Sequence, residues 1–155
     1  MNFTIKKIAD TVLIGLPLQM NLAQNKTPEL WRSFMQSCSK NSYTPLRPLV
    51  SLQIYQAAED YKSSEAIFTK WAGFFASNNI EVPAFLQSVA ISAGAYAVFD
   101  FNGGPVGAQA FFNEVFTISL PQAACKVDFR PHFEILHDNY RENLQEEIWI
   151  PIQSS

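Results

Sequence analysis

An order of elements, strand then helix then two strands, runs through this sequence twice and leaves few folds open to it. In the first pass, residues 3–8 and 11–18 alternate as strands around Ala9-Asp10, and TPELWRSFMQSCSK (27–40) then reads as a helix. Thr27 is expected to cap it, Pro28 stands at the first helical position and Glu29 lies in the first turn. Leu30 or Trp31, Phe34 and Cys38 follow at spacings of three and four, which makes one apolar stripe. LVSLQIYQ and EAIFTKWAGFFA follow as a hairpin across AAEDYKSS. In the second pass QSVAISAGAYAVFDF is a long strand region with a bulge or bend at Gly94, and Asn102-Gly103-Gly104-Pro105 breaks it. The helix GPVGAQAFFNEVF comes next, then the hairpin of HFEILHD and EEIWIPI. A shift of 77 residues lays Pro28 on Pro105 and Phe34 on Phe111. The expectation is an α+β domain over 1–155 with an internal pseudo-repeat of roughly 1–76 and 86–155. Two such units place their strands in one curved antiparallel sheet, with two helices on one face and a ligand cleft on the other.

Length fits a single core, and composition narrows the partners. Apolar residues are 48% and aromatics 14% of the chain, with thirteen Phe, five Tyr and three Trp, more than edges and turns require. The 11 basic and 14 acidic residues give a net charge of −3, which offers no footprint for a phosphate backbone, so no direct nucleic-acid partner is expected. The first twenty residues lack the plan of a secretory signal, and no stretch reaches the roughly twenty apolar residues of a spanning helix. Cys38 falls on the apolar side of a helix, so Cys38 and Cys125 are expected as free thiols in a reducing cytoplasm.

Strand parity isolates the candidate site. In EEIWIPI, Ile148, Ile150 and Ile152 share one face and Glu147, Trp149 and Pro151 the other. With the isoleucines under the helices, Glu147 and Trp149 face away. In HFEILH, Glu134 alternates with Phe133 and Ile135, and it too is expected to turn away from the helices. An acid on a wet sheet face needs no function. A wet face, however, seldom sets Trp149 beside Glu147 with Tyr96, Tyr55 and Trp71 on other strands. If that face is concave, it forms an aromatic-walled pocket with carboxylates on its floor. Desolvated carboxylates without partners tend to protonate, and a ligand cation restores the pairing while aromatic faces add about 0.5–2 kcal/mol each. The implied guest is a hydrophobic, cationic small molecule. Trp31, on the helix stripe, reads as core and alternatively as a pocket rim. His132 and His137, five apart on one strand, fall on opposite faces and form no joint metal site, and neither metal nor cofactor is expected. Gly103-Gly104-Pro105 lacks the ending of a phosphate loop and reads as a turn.

The runs ISAGAYAVFDFNG, Leu120-Pro121, FRPHFEILHDNY and EEIWIPI, with ELW and KWAG earlier, resemble the GyrI-like small-molecule-binding domain, the effector domain of certain AraC-type and MerR-type bacterial transcription regulators. The resemblance implies a duplicated strand-helix-strand-strand fold with a central cleft that recognises hydrophobic, often cationic drugs through acidic and aromatic residues. It places the family's acids on Glu134 and Glu147 and its tyrosine on Tyr96. Departures stand at Ser119-Leu120-Pro121, where the family often has an aromatic before the dipeptide, and at Leu136, where it has a tyrosine. No DNA-binding region is left over, so a stand-alone sensor is expected. The resemblance also implies two alternatives. One is hydrolysis of cyclopropane-bearing toxins by Glu134 or Glu147 with Tyr96. The other is a protein partner such as gyrase or a separately encoded regulator.

Overall fold

Eight strands hydrogen-bond into one antiparallel sheet in the computed structural model, which describes residues 1–78, 80–102, 107–137 and 146–154. The strands are β1 (Thr4–Ile8), β2 (Thr11–Met20), β3 (Leu49–Tyr55), β4 (Phe68–Phe75), β5 (Gln87–Ile91), β6 (Gly94–Phe101), β7 (His132–Leu136) and β8 (Glu146–Pro151). Helix α1 spans Thr27–Lys40, and α2 (Ala108–Glu114) runs on through a π-helical turn, Val115–Ser119, into a last turn at Leu120–Gln122. The α+β class and the paired helices therefore match the pattern read from the sequence. One local expectation fails. Thr27 is the first helical residue and caps nothing. Its hydroxyl instead donates to Asn25 Oδ1 (2.6 Å) and accepts from Lys70 Nζ (3.0 Å). The turn at Gly103-Gly104-Pro105 lies outside the described residues.

The sheet order, β1-β6-β8-β7-β3-β4-β2-β5, reads the same backwards when β1 and β5, β2 and β6, β3 and β7, and β4 and β8 are exchanged. The axis of that relation passes between β3 and β7, at the pair Ser51 and Glu134. The same exchange sets Lys70 of β4 against Glu146 of β8.

Two short links curl this sheet. Ala9-Asp10 joins β1 to β2, and Ser92-Ala93 joins β5 to β6, yet each pair of strands lies six positions apart in the order. In a flat sheet six spacings measure about 29 Å. Three Cα steps reach only about 11 Å. The two ends of the sheet must therefore approach each other, and Ala93 N–H ties the links by donating to Asp10 Oδ1 at 2.7 Å. The bend read at Gly94 is thus a full break that sends β5 and β6 to opposite ends of the sheet.

Curling gives the two faces different cores. On the concave face, Ile8, Leu13, Ile91 and Tyr96 from the two ends pack with Val50, Leu52, Trp71, Phe133 and Trp149 from the middle into one cluster. On the other face the cover is divided. Helix α1 lays Leu30, Trp31, Phe34 and Cys38 on Ile14, Phe68, Ala72 and Phe74. Helix α2 and its continuation lay Phe111, Val115 and Leu120 on Ala97, Phe99, Ile148 and Ile150. Both cysteines are free, and burial pushes the Cys38 thiol above its usual range. No helix among the described residues is long and apolar enough to cross a membrane.

Candidate functional site

Cross-strand partners project from the same side of a sheet, so register decides which residues meet. Phe133 pairs with Trp149, and Glu134 with Ile148. Ile148 belongs to the cluster beneath α2, which places Glu134 on the helix-bearing side. This corrects the expectation that Glu134 and Glu147 share a face. Each strand alternates as its sequence says, but the pairing of β7 with β8 sets the two alternations out of phase. Of the anticipated residues, Glu134, Tyr55 and Trp31 lie on the helix side, and Glu147, Tyr96, Trp149 and Trp71 lie on the concave side.

The concave face is filled. Tyr96 is fully buried, with ring centroids 5.0 Å from Phe133 and 5.9 Å from Trp149. Its hydroxyl donates to the Pro131 carbonyl at 2.9 Å, the Arg130 guanidinium lies 4.7 Å from its ring, and burial pushes the phenol up to about 12. Tyr96 is therefore a core residue across the sheet from Glu134, so a hydrolytic pairing of Glu134 with Tyr96 does not assemble, whereas Glu147 shares the face of Tyr96. Glu147 is at the rim of this face and already has partners. It accepts from Trp149 Nε1 at 3.1 Å and contacts His137 Nε2. Lys6 sits 5.7 Å over the Trp149 ring. An open hollow of about 340 Å³ adjoins Glu147, bounded by Thr4, Lys6, Val98 and Asp100.

A different constellation lies between the helices. The divided cover leaves a strip of sheet over β3 and β7 whose floor is polar: Ser51, Gln53, His132 and Glu134, flanked by Lys70 on β4 and Glu146 on β8. Gln53, Lys70, Glu134 and Glu146 are half-buried and remain reachable. Phe116, half-buried, stands on the wall formed by the continuation of α2, while Trp31 is buried in the core beneath α1, the core reading of its helix stripe. At one end Tyr55, Tyr61 and Phe116 surround His132, with ring centroids 5.1, 5.6 and 6.3 Å away. Tyr61 packs on Phe116 at 4.7 Å, and Gln53 Nε2 donates to the Tyr55 hydroxyl at 2.9 Å.

The electrostatics of this cleft are strained toward neutrality. Burial first, then the charge and hydrogen bond of Glu134, push the Glu146 carboxyl up to about 8, with Lys70 opposing. A hydrogen bond between two carboxyl groups requires a proton between them. Burial holds Lys70 below its usual range, against the pull of Glu134 and Glu146. Burial and the Arg130 charge bring His132 down to about 3, so it is neutral. Burial and the charges of Glu134 and Asp60 raise the Tyr55 phenol. The Ser51 and Ser119 hydroxyls are buried without hydrogen-bond partners. Among the described residues no group of His, Cys, Asp and Glu could hold a metal ion.

Sequence reasoning missed Lys70, Glu146, Gln53 and His132 as parts of one site. For Glu146 the signal was present, because it shares parity with the isoleucines assigned to the helix side. For Lys70 and His132 it was not, since their common face depends on two further registers.

Comparison with known proteins agrees with this architecture. The family model of the GyrI-like small molecule binding domain matches residues 1–153. No curated protein sequence matches the chain significantly. The fold is similar to that of SAV2435 bound to tetraphenylphosphonium, at 20% identity over 99% of this chain and 94% of that one, with a TM-score of 0.74. It is also similar to a Staphylococcus aureus MU50 protein linked by its description to bacterial transcription regulation, at 18% identity, 99% of both chains and a TM-score of 0.70. EcmrR in a DNA complex matches at 11% identity over 99% of this chain and 58% of its own, with a TM-score of 0.72.

Proposed function

The chain belongs to the family of GyrI-like small molecule binding domains, and on that premise we propose that it binds lipophilic aromatic cations in the cleft between α1 and α2, with Glu134 and Glu146 as counter-charge. One observation carries the reading: Glu134 on β7 and Glu146 on β8 share the half-buried helix-side floor between α1 and α2, where burial and the neighbouring Glu134 push the Glu146 carboxyl up to about 8. Lys70 offsets such a pair only in part. A guest cation supplies more positive charge, and the half-buried rings of Tyr55, Tyr61 and Phe116 add cation–π and apolar contact. Phosphorylated or polyanionic guests meet repulsion there. The relative SAV2435 binds tetraphenylphosphonium, a cation of this class, which supports the choice of ligand.

Micromolar affinity corresponds to about −8 kcal/mol, which several aromatic contacts and one desolvated charge pair can supply. Titration of tryptophan fluorescence with tetraphenylphosphonium and with a neutral triaryl analogue tests the reading. The cation is expected to bind at least about tenfold tighter, and Glu134→Gln to remove most of that difference. Equal affinity for both compounds, or unchanged binding in both Glu134→Gln and Glu146→Gln, would defeat it.

A further inference from the structure

Lys70 is the cleft group that cation binding leaves unexplained. Its ammonium can donate three hydrogen bonds, and among the described residues one is made, to Thr27 Oγ1 at 3.0 Å. The ion pairs among the described residues involve Glu59, Asp128 and Glu147, and none reaches Lys70. The hydrogen bond to Thr27 sets the ammonium against the first residue of α1, a 14-residue helix whose N-terminal end is itself positive. A cation at that end is unfavourable by itself. Glu134 and Glu146 act on the Lys70 charge from across the floor and Glu29 lies in the first turn of α1, but among the described residues no carboxylate forms an ion pair with the ammonium, which still favours negative charge.

The cleft is thus dipolar. Lys70 pairs across the sheet with Gln53, and Glu134 pairs with Ser51, two residues along β3. Two strand spacings and two residues separate the positions of Lys70 and Glu134, about 12 Å between their Cα atoms. Gln53 and Ser51 lie between them, with Tyr55 and His132 at the Lys70 end.

Resting on the cation-binding reading above, we propose that Lys70 and the start of α1 form an anion-accepting subsite, so that the cleft prefers aromatic molecules carrying a cationic and an anionic group at opposite ends. The cationic end sits at Glu134 and Glu146, the ring system spans Ser51 and Gln53, and a carboxylate or sulfonate meets Lys70. Lys70 then sets specificity. A permanent cation without the anionic end satisfies half of the site and leaves the ammonium facing a second positive charge.

The test compares one cationic xanthylium dye as its free carboxylate and as its methyl ester, by fluorescence polarisation on wild type, Lys70→Met and Lys70→Arg. Wild type is expected to hold the carboxylate at least about tenfold tighter than the ester. Lys70→Met is expected to abolish that preference and to bind the ester as well as or better than wild type does. Lys70→Arg, which keeps the charge, is expected to retain it. Wild-type indifference to the two forms overturns the inference, as does a preference that survives Lys70→Met in folded protein. If the ester binds through Glu134 while the carboxylate gains nothing, the inference falls and the cation reading stands. If neither form binds, both fall together.

Discussion

Because a permanent cation needs a carboxylate that the resting cleft holds protonated, its affinity should climb with pH. Burial, and after it the neighbouring Glu134 on β7, push the Glu146 carboxyl up to about 8, with Lys70 on β4 opposing. When only the ionised form is competent, the apparent dissociation constant is the intrinsic one divided by the ionised fraction. That fraction is about 0.01 at pH 6 and about 0.5 at pH 8, so affinity for tetraphenylphosphonium should rise about 50-fold, or about 2.3 kcal/mol, across this interval. Calorimetry at pH 7 in two buffers of different ionisation enthalpy should count nearly one proton released per ligand bound. Glu146→Gln cannot ionise, and its affinity should be flat over the same range. A change below about threefold in wild type refutes the reasoning. So does a slope of equal size in Glu146→Gln, because the titrating group would then lie elsewhere.

Other consequences follow from the same geometry. The native state binds the Glu146 proton more tightly than the unfolded chain does, so this group's contribution to stability is present below pH 4.5 and lost as pH rises toward about 8. Denaturant titrations should show that loss, at most about 1.4 kcal/mol per pH unit, absent in Glu146→Gln. His132 acts in the opposite sense: its folded value is depressed from 6.5 to about 3, so its contribution is present above 6.5 and lost as pH falls toward 3. His132→Phe, kept among Tyr55, Tyr61 and Phe116, should flatten the acid limb of the stability profile. Tyr96→Phe should cost about 1–3 kcal/mol in chemical denaturation through the unpaired Pro131 carbonyl, yet leave tetraphenylphosphonium affinity unchanged because Tyr96 faces away from the cleft. Gly73→Ala should destabilise by more than about 3 kcal/mol, measured by thermal melting, since a Cβ there would lie 2.0 Å from the Ile14 carbonyl oxygen.

Local chemistry made most elements legible. The Pro28 and Glu29 start and the Leu30, Trp31, Phe34 and Cys38 stripe fix α1 wherever it packs, and they place its span at Thr27–Lys40. Alternation likewise put Ile148 and Ile150 under a helix. The candidate site was legible only in part. Glu134 and Tyr55 were named, but in company with Tyr96, Trp71 and Trp149, which the curl of the sheet turns inward as core. Aromatic content alone could not tell a pocket wall from a core, because both bury rings.

The sequence by itself determined the type and order of the elements and, within each strand, which residues oppose which, because backbone pleating has a period of two. Tertiary structure alone decided which alternations coincide across strands. A slip of one residue between β7 and β8 would carry Glu134 to the face of Trp149, and no property of either strand in isolation forbids it. The two-residue links and the shared apolar cluster choose the pairing. By closing the concave side around rings, they leave the interval between the helices as the place where Lys70, Glu134 and Glu146 meet.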